Sequence, residues 1–203
     1  MNKLPFVVMM AGAFSAAGAE INLTPSHSVR ELAGCKFPQL EFRDGDKKIT
    51  YELPTGWTCV PLDKYSLAVV PPNNSSVSAK IKFIPIPGVL VLDEMQLQHF
   101  KETAAQLVPP EGRIMTEPTV TPNPVLLNAH ATCEIDLLFV LRSQRLRMSV
   151  LFVDLGDSQL RFSLISRPGD FEELHKAFQQ SWFSWQWLEE APQSVVAAES
   201  LKR

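Results

Sequence analysis

The sequence predicts an α+β fold, an α/β/α sandwich with a mainly antiparallel sheet and two principal helices. Three observations predict it. Residues 129–166 alternate apolar and polar side chains through three consecutive strand-length runs, the pattern of an antiparallel meander. Two stretches with the apolar spacing of helices flank it, one ending at Pro109-Pro110 and one running from Phe171 to Trp182. Finally, Val150, Leu151, Phe152 and Val153 are apolar in both phases, as a central strand covered on both faces requires.

The elements follow in order. Residues 20–36 lack periodicity and read as a leader into the fold. Residues 37–42 and 48–53 are short alternating strands, with Asp44-Gly45-Asp46 as the hairpin signal between them. Pro54-Thr55-Gly56-Trp57 turns the chain, and residues 65–70 and 79–86 form a second strand pair. The first helix opens on a capping box, Asp93 with Gln96, and carries Met95, Leu97, Phe100, Ala104 and Leu107 mostly on one stripe. After Pro110 the proline-rich residues 111–128 leave room for one short edge strand near residues 113–116.

In the meander, Ala131, Cys133, Ile135, Leu137 and Phe139 share one face, continued by Leu146, Met148, Val150 and Phe152 after a turn at residues 142–145. A three-residue loop with Gly156 in the left-handed region would bring Leu160, Phe162 and Leu164 onto that same face. The second helix reads as opening on a capping box of Asp170 with Glu173, and it buries Phe171, Leu174, Phe178 and Trp182. The domain spans residues 37–188 and closes on an aromatic segment in which Phe183, Trp185 and Trp187 share a face if extended. Residues 189–203 read as a flexible tail.

Residues 1–19 have the form of a secretory signal peptide. Lys3 supplies the positive start, residues 4–14 an apolar run of roughly a dozen residues, and Ala17-Gly18-Ala19 the small-residue cleavage site. The run is too short to span a bilayer, which takes about 20 apolar residues. The expectation is export to the periplasm or the extracellular space with cleavage after Ala19, and no transmembrane segment in the mature chain. Leu32-Ala33-Gly34-Cys35 also spells a lipobox. Lipidation needs the apolar run directly before the cysteine, and here the polar residues 24–31 intervene, so the match reads as coincidence.

The mature chain would hold 18 basic and 22 acidic residues, a formal charge of −4. Nucleic acid as a partner needs a basic patch, so this balance argues against it. Of the three cysteines, Cys133 lies on the apolar phase of a strand and reads as a small buried hydrophobe, while Cys35 and Cys59 form a candidate disulfide. No cysteine or histidine spacing matches a zinc site, no GxSxG motif marks a nucleophile, and no glycine-rich loop opens a helix to cradle phosphate. The expectation is a non-enzymatic protein with no cofactor and no metal.

Two constellations remain as binding candidates. His130, Glu134 and Asp136 fall on one strand face, where they could hold a cation or a small ligand. Trp185 and Trp187 could stack on a sugar or anchor a protein, the alternative being that they close the core.

The order of these pieces resembles the Mog1/PsbP-like superfamily, which includes bacterial exported domains of unknown function. Tyr51-Glu-Leu-Pro-Thr-Gly-Trp57, the meander of residues 129–166, and residues 171–183 with their helix-to-strand ending carry the resemblance, which covers about residues 37–187. It implies an α/β/α sandwich used for binding or assembly, in a superfamily that includes extrinsic photosystem II subunits, a partner of a nuclear GTPase, chaperones and envelope proteins. The superfamily has no shared catalytic residues to carry over. With the signal peptide, the resemblance implies an exported protein whose partner is another envelope protein or a surface polymer.

Overall fold

The computed structural model describes residues 21–45, 47–72, 77–85, 93–156 and 158–189. The signal segment, its cleavage site and the tail beyond residue 189 lie outside the described residues. The chain runs through β1 (Ile21–Leu32), β2 (Cys35–Asp44), β3 (Lys47–Tyr51), β4 (Thr58–Asp63), β5 (Ser66–Val70) and β6 (Ser78–Pro85). Then come α1 (Glu94–Gln106), β7 (Arg113–Ile114), β8 (Thr119–Pro122), β9 (Thr132–Leu141), β10 (Gln144–Asp154), β11 (Ser158–Ser166), α2 (Pro168–Trp182) and β12 (Gln186–Glu189).

The strands divide into two antiparallel sheets. The larger has the order β4-β5-β6-β11-β10-β9-β7, with β8 also on β9, and the smaller β1-β2-β3-β12. One face of the large sheet packs under α1, where Phe100 stacks on Phe152 at 4.6 Å and Ala104 and Val108 meet Ile135, Phe139 and Met148. The other face packs under both α2 and the small sheet, joining Leu151, Val153 and Phe162 to Phe171, Phe178, Trp182, Phe42 and Tyr51. β10 therefore has a core on each side, as its two-phase apolar run demands.

Several local features follow from the sequence and several do not. Asp93 caps α1 by accepting from the Gln96 backbone N at 2.8 Å. Its buried stripe is narrower than expected, because Met95 and Leu107 face solvent. α2 starts two residues before the expected capping box: Pro168, whose ring already has the helical φ, takes the first position, and Asp170 sits within the first turn. There the carboxylate favours the helix dipole without capping a backbone donor.

Three expectations are corrected. Residues 20–36 are not a leader outside the fold, because β1 spans most of them and buries Ile21 and Leu23 in the core. Its periodicity is hidden by a register shift between Asn22 and Ser26 and by an outer half exposed on both faces, where nothing selects alternation. Leu160, Phe162 and Leu164 lie on the α2 face rather than the α1 face. The hairpin pairs Asp154 with Gln159 and Val153 with Leu160, one residue away from the expected register, and a one-residue slip exchanges faces. Gly156 does take the left-handed conformation, at φ +90°. Last, residues 183–187 are not one extended strand. The backbone still turns as the helix ends, with Trp185 N bonded to Trp182 O at 3.1 Å. Phe183 is therefore exposed, Trp185 buried and Trp187 half-buried.

Tight turns set the remaining geometry. Leu141 pairs with Gln144 across Arg142 (φ 49°) and Ser143 (φ 67°), a two-residue turn with both central residues left-handed and neither a glycine. Left-handed backbone costs an ordinary residue about 1 kcal/mol or more. Ser143→Gly is expected to raise the unfolding free energy by about 0.5–1 kcal/mol, read as a higher urea midpoint at unchanged slope. A lower midpoint would contradict this turn geometry.

Candidate functional site

The strand face that groups Glu134 and Asp136 looks inward onto α2, not out to solvent. Glu134, on β9, is 8% exposed. Its Oε1 accepts from Ser149 Oγ at 2.5 Å and from His175 Nε2 at 2.6 Å. His175 stands on the buried side of α2, stacked on Phe171 at 5.2 Å and edge-on to Trp182 at 5.9 Å. Asp136 accepts from Arg147 Nε with both oxygens at 3.0 Å, and Arg147 also bridges to Glu172 and lies 4.3 Å over the Phe171 ring. Burial works to raise the Glu134 carboxyl, but the bonds from His175 and Ser149 and the charge of Arg147 hold it below its ordinary value. Burial wins at Asp136, which is raised despite Arg147.

Chemically this network is a clamp between sheet and helix. Ser149 is buried and donates its hydroxyl hydrogen bond to the Glu134 carboxylate, which fixes the carboxylate between strand and helix. Ser149, Arg147 and His175 escaped the sequence reading. The available signals were the diagonal cross-strand placing of Ser149 beside Glu134 and of Arg147 beside Asp136, and the place of His175 on the helical stripe of Phe171, Phe178 and Trp182.

His130 does not join Glu134 and Asp136. His130 precedes β9, which begins only at Thr132, and directly follows a turn at Asn128 (φ 49°) and Ala129 (φ 67°), beyond the stretch of strand that α2 covers. The turn sends His130 to Trp187, at 5.3 Å between ring centroids. These two residues, far apart in sequence, line one cavity of about 420 Å³ with Asp44, Lys47, Asn128 and Ser158. Trp187 Nε1 donates to Asp44 Oδ2 at 3.1 Å, and Asn128 Nδ2 donates to the Trp185 carbonyl at 2.8 Å. Trp185 itself is core, stacked on Phe42 at 5.6 Å and edge-on to Phe162 at 5.5 Å. Among the described residues no group of three His, Cys, Asp or Glu side chains is placed to hold a metal ion.

A second concavity, of about 480 Å³, lies at the opposite end of β2. Phe37, Pro38 and Leu40 wall it on one side, and Leu53, Pro54 and Trp57 line it as well. Trp57 is fixed by the turn that Gly56 permits (φ +78°), with Trp57 N bonded to Pro54 O at 2.9 Å and its ring stacked on Phe178 at 5.9 Å. Beyond the cavity the β1–β2 hairpin runs out past the body, exposing Val29 (59%), Leu32 (58%) and Phe37 (37%). Val60 and Leu62 on β4 are 52% exposed. At the hairpin tip Leu32 pairs with Cys35 across Ala33 and Gly34, both at positive φ. The lipobox letters here form a two-residue hairpin turn.

The candidate disulfide between Cys35 and Cys59 is not made. All three thiols are free, with Cys35 exposed at the tip, Cys59 half-buried in β4 and Cys133 buried. Burial raises the Cys59 thiol and pushes Cys133 up to about 11, so Cys35 is the accessible thiol. No helix among the described residues is long and apolar enough to cross a membrane.

Strand order, two helices and three packed layers define an α+β sandwich. No protein-family model matches the chain and no curated protein does. Among solved structures it is similar to cyanobacterial PsbP (CyanoP) from Synechocystis sp. PCC 6803, at 10% identity and a TM-score of 0.49, over 74% of this chain and 92% of that one. It is also similar to a protein of unknown function from Pseudomonas aeruginosa, at 13% identity and a TM-score of 0.42, over 82% and 98% of the two chains. A third likeness is to a Bacteroides thetaiotaomicron protein, at 6% identity and a TM-score of 0.41, over 71% of this chain and 46% of that one.

The clamp has a pH signature. Glu134 is depressed in the folded state, so its stabilisation is present above the ordinary carboxylate value and is lost as pH falls through the folded value. Asp136, raised, acts in the opposite sense and favours the fold as it protonates. Glu134→Gln is expected to cost about 1–3 kcal/mol near neutral pH and to flatten the loss of stability below about pH 4. Urea midpoints of both proteins across that range check it; parallel profiles would contradict the clamp.

Proposed function

We propose that this chain is an exported, non-enzymatic binding or assembly protein of the cell envelope, and that it holds a partner protein with the β1–β2 hairpin and the groove at its base. The carrying observation is the exposed apolar surface of Val29, Leu32, Phe37, Val60 and Leu62 beside a groove walled by Phe37, Pro38, Leu53, Pro54 and Trp57. Large apolar side chains left exposed beside a groove mark interaction sites on proteins that otherwise hide such surface. Export rests on the signal-like residues 1–19. Pro61 and the register shift beside it blunt the β4 edge against strand addition, which leaves side-chain contact as the means of recognition.

The groove volume favours a second reading, a small apolar ligand, since such ligands occupy pockets of about 300–1,000 Å³. Cys35 offers a direct discrimination. A photo-crosslinker attached to this thiol is expected to give a discrete protein adduct in native envelope extract. Leu32→Asp and Val29→Asp should abolish the adduct while shifting stability by no more than about 0.5 kcal/mol, as exposed substitutions do. An adduct insensitive to both changes, or none at all, would defeat the protein-partner reading.

A further inference from the structure

The cavity at the other end of β2 has a different chemistry from the groove. Its walls are Trp187 and His130, the carboxylate Asp44, the ammonium Lys47, the amide Asn128 and the hydroxyl Ser158, with Leu155 the remaining lining residue. We infer that it is a saccharide-binding site, taking a pyranose unit of a polysaccharide or glycan. One half-buried indole beside a ring of mixed hydrogen-bonding groups is what a pyranose requires. The aromatic face receives the sugar's C–H face, and the carboxylate, ammonium, amide and hydroxyl serve its hydroxyls, which both donate and accept.

Other ligand classes fit less well. An apolar ligand would cover the Lys47 ammonium and the His130 ring while offering neither a hydrogen bond. A simple anion would meet the Asp44 carboxylate in the same wall as Lys47. The platform is also held in place before any ligand arrives. Asp44 fixes the Trp187 indole N–H, the His130 ring leans on it at 5.3 Å, and Trp185 meets it edge-on at 5.9 Å. Positions fixed in this way lower the ordering cost of binding.

This site does not depend on the hairpin reading. Pro38 and Asp44 are six residues apart on β2, about 20 Å at the rise of a strand, so the two tests read different residues. Of the four tryptophans, Trp57, Trp182 and Trp185 are buried, leaving Trp187 as the main target of a soluble quencher. The full chain is titrated with cellotetraose, chitotetraose and mannotetraose while acrylamide quenching of tryptophan is followed. Saturable protection is expected from at least one. Affinity, read for every variant by isothermal titration calorimetry because replacing Trp187 removes the quenched fluorophore, should fall at least about tenfold, roughly 1.4 kcal/mol, in Trp187→Ala and in His130→Ala, and remain unchanged in Phe183→Ala, an exposed aromatic outside the cavity. Should Trp187→Ala fail to fold, Trp187→Phe with His130→Ala carries the same comparison. No protection by any of the three sugars, or a calorimetric affinity that survives loss of His130 and the indole, would overturn the assignment.

Discussion

The two sheets share no strand, so their union rests chiefly on side chains, and the centre of that packing is Trp185. Its ring stacks on Phe42 of β2, tilts against Tyr51 of β3 and meets Phe162 of β11 edge-on, all within 5.6 Å between centroids. Tyr51 extends the junction to α2 through a 2.7 Å hydrogen bond between its hydroxyl and Ser181 Oγ. Truncating so large a buried ring costs about 3–5 kcal/mol, a sizeable part of the stability of a domain this size. At the far edge, the backbone bond from Leu23 N to Lys64 O, 2.7 Å long, adds a second tie.

Both surfaces with functional character depend on this junction. Because Trp185 enters the core directly after α2, β12 is delivered to the open edge of β3, and Trp187 arrives beside Asp44. Because Phe42 is held by the same ring, β2 is anchored at its Asp44 end and free to project at its Cys35 end. One strand thus carries a fixed polar pocket at one terminus and an apolar arm at the other. The first suits recognition that depends on placed hydrogen-bonding groups. The second suits a partner whose surface must be covered by nonpolar contact.

The sequence was most legible where burial imposes a period. β9 and β10 show their faces plainly because each inward position is filled and each alternation matters, and both helices were placed by their apolar spacing. β1 was illegible because its outer half touches no core, so nothing disciplines its pattern. The face of Leu160, Phe162 and Leu164 was misassigned because it depends on a single residue of hairpin register, which loop composition specifies weakly. In the candidate sites, Trp187 and His130 were legible as residue types worth noting, and Trp185 equally so, but not their division between pocket and core. Glu134 and Asp136 were recognised as sharing a face, while the helix covering it was not. The groups that join His130 in its cavity, Asp44 and Lys47, lie more than 80 residues earlier, and no local spacing could have announced them.

The turn at Asn128 and Ala129 shapes the cavity that holds His130 and Trp187. Two consecutive non-glycine residues there have positive φ, and Leu127 and His130 are bridged across them. The same backbone geometry at Ala33 and Gly34 serves an exposed hairpin tip where one of the two residues is glycine. At Asn128 the strain is offset locally, because the side chain that tolerates the left-handed region also donates to the Trp185 carbonyl at 2.8 Å. That bond ties the turn to the aromatic junction, and the turn in turn sets His130 against Trp187. A turn serving connection alone would gain from glycine at Ala129, which carries the cost of about 1 kcal/mol or more with no side chain to offset it. The same pair of left-handed, non-glycine residues closes the hairpin at Arg142 and Ser143, outside this cavity, so what sets the turn at Asn128 and Ala129 apart is its tie to the Trp185 carbonyl and its place in the cavity wall.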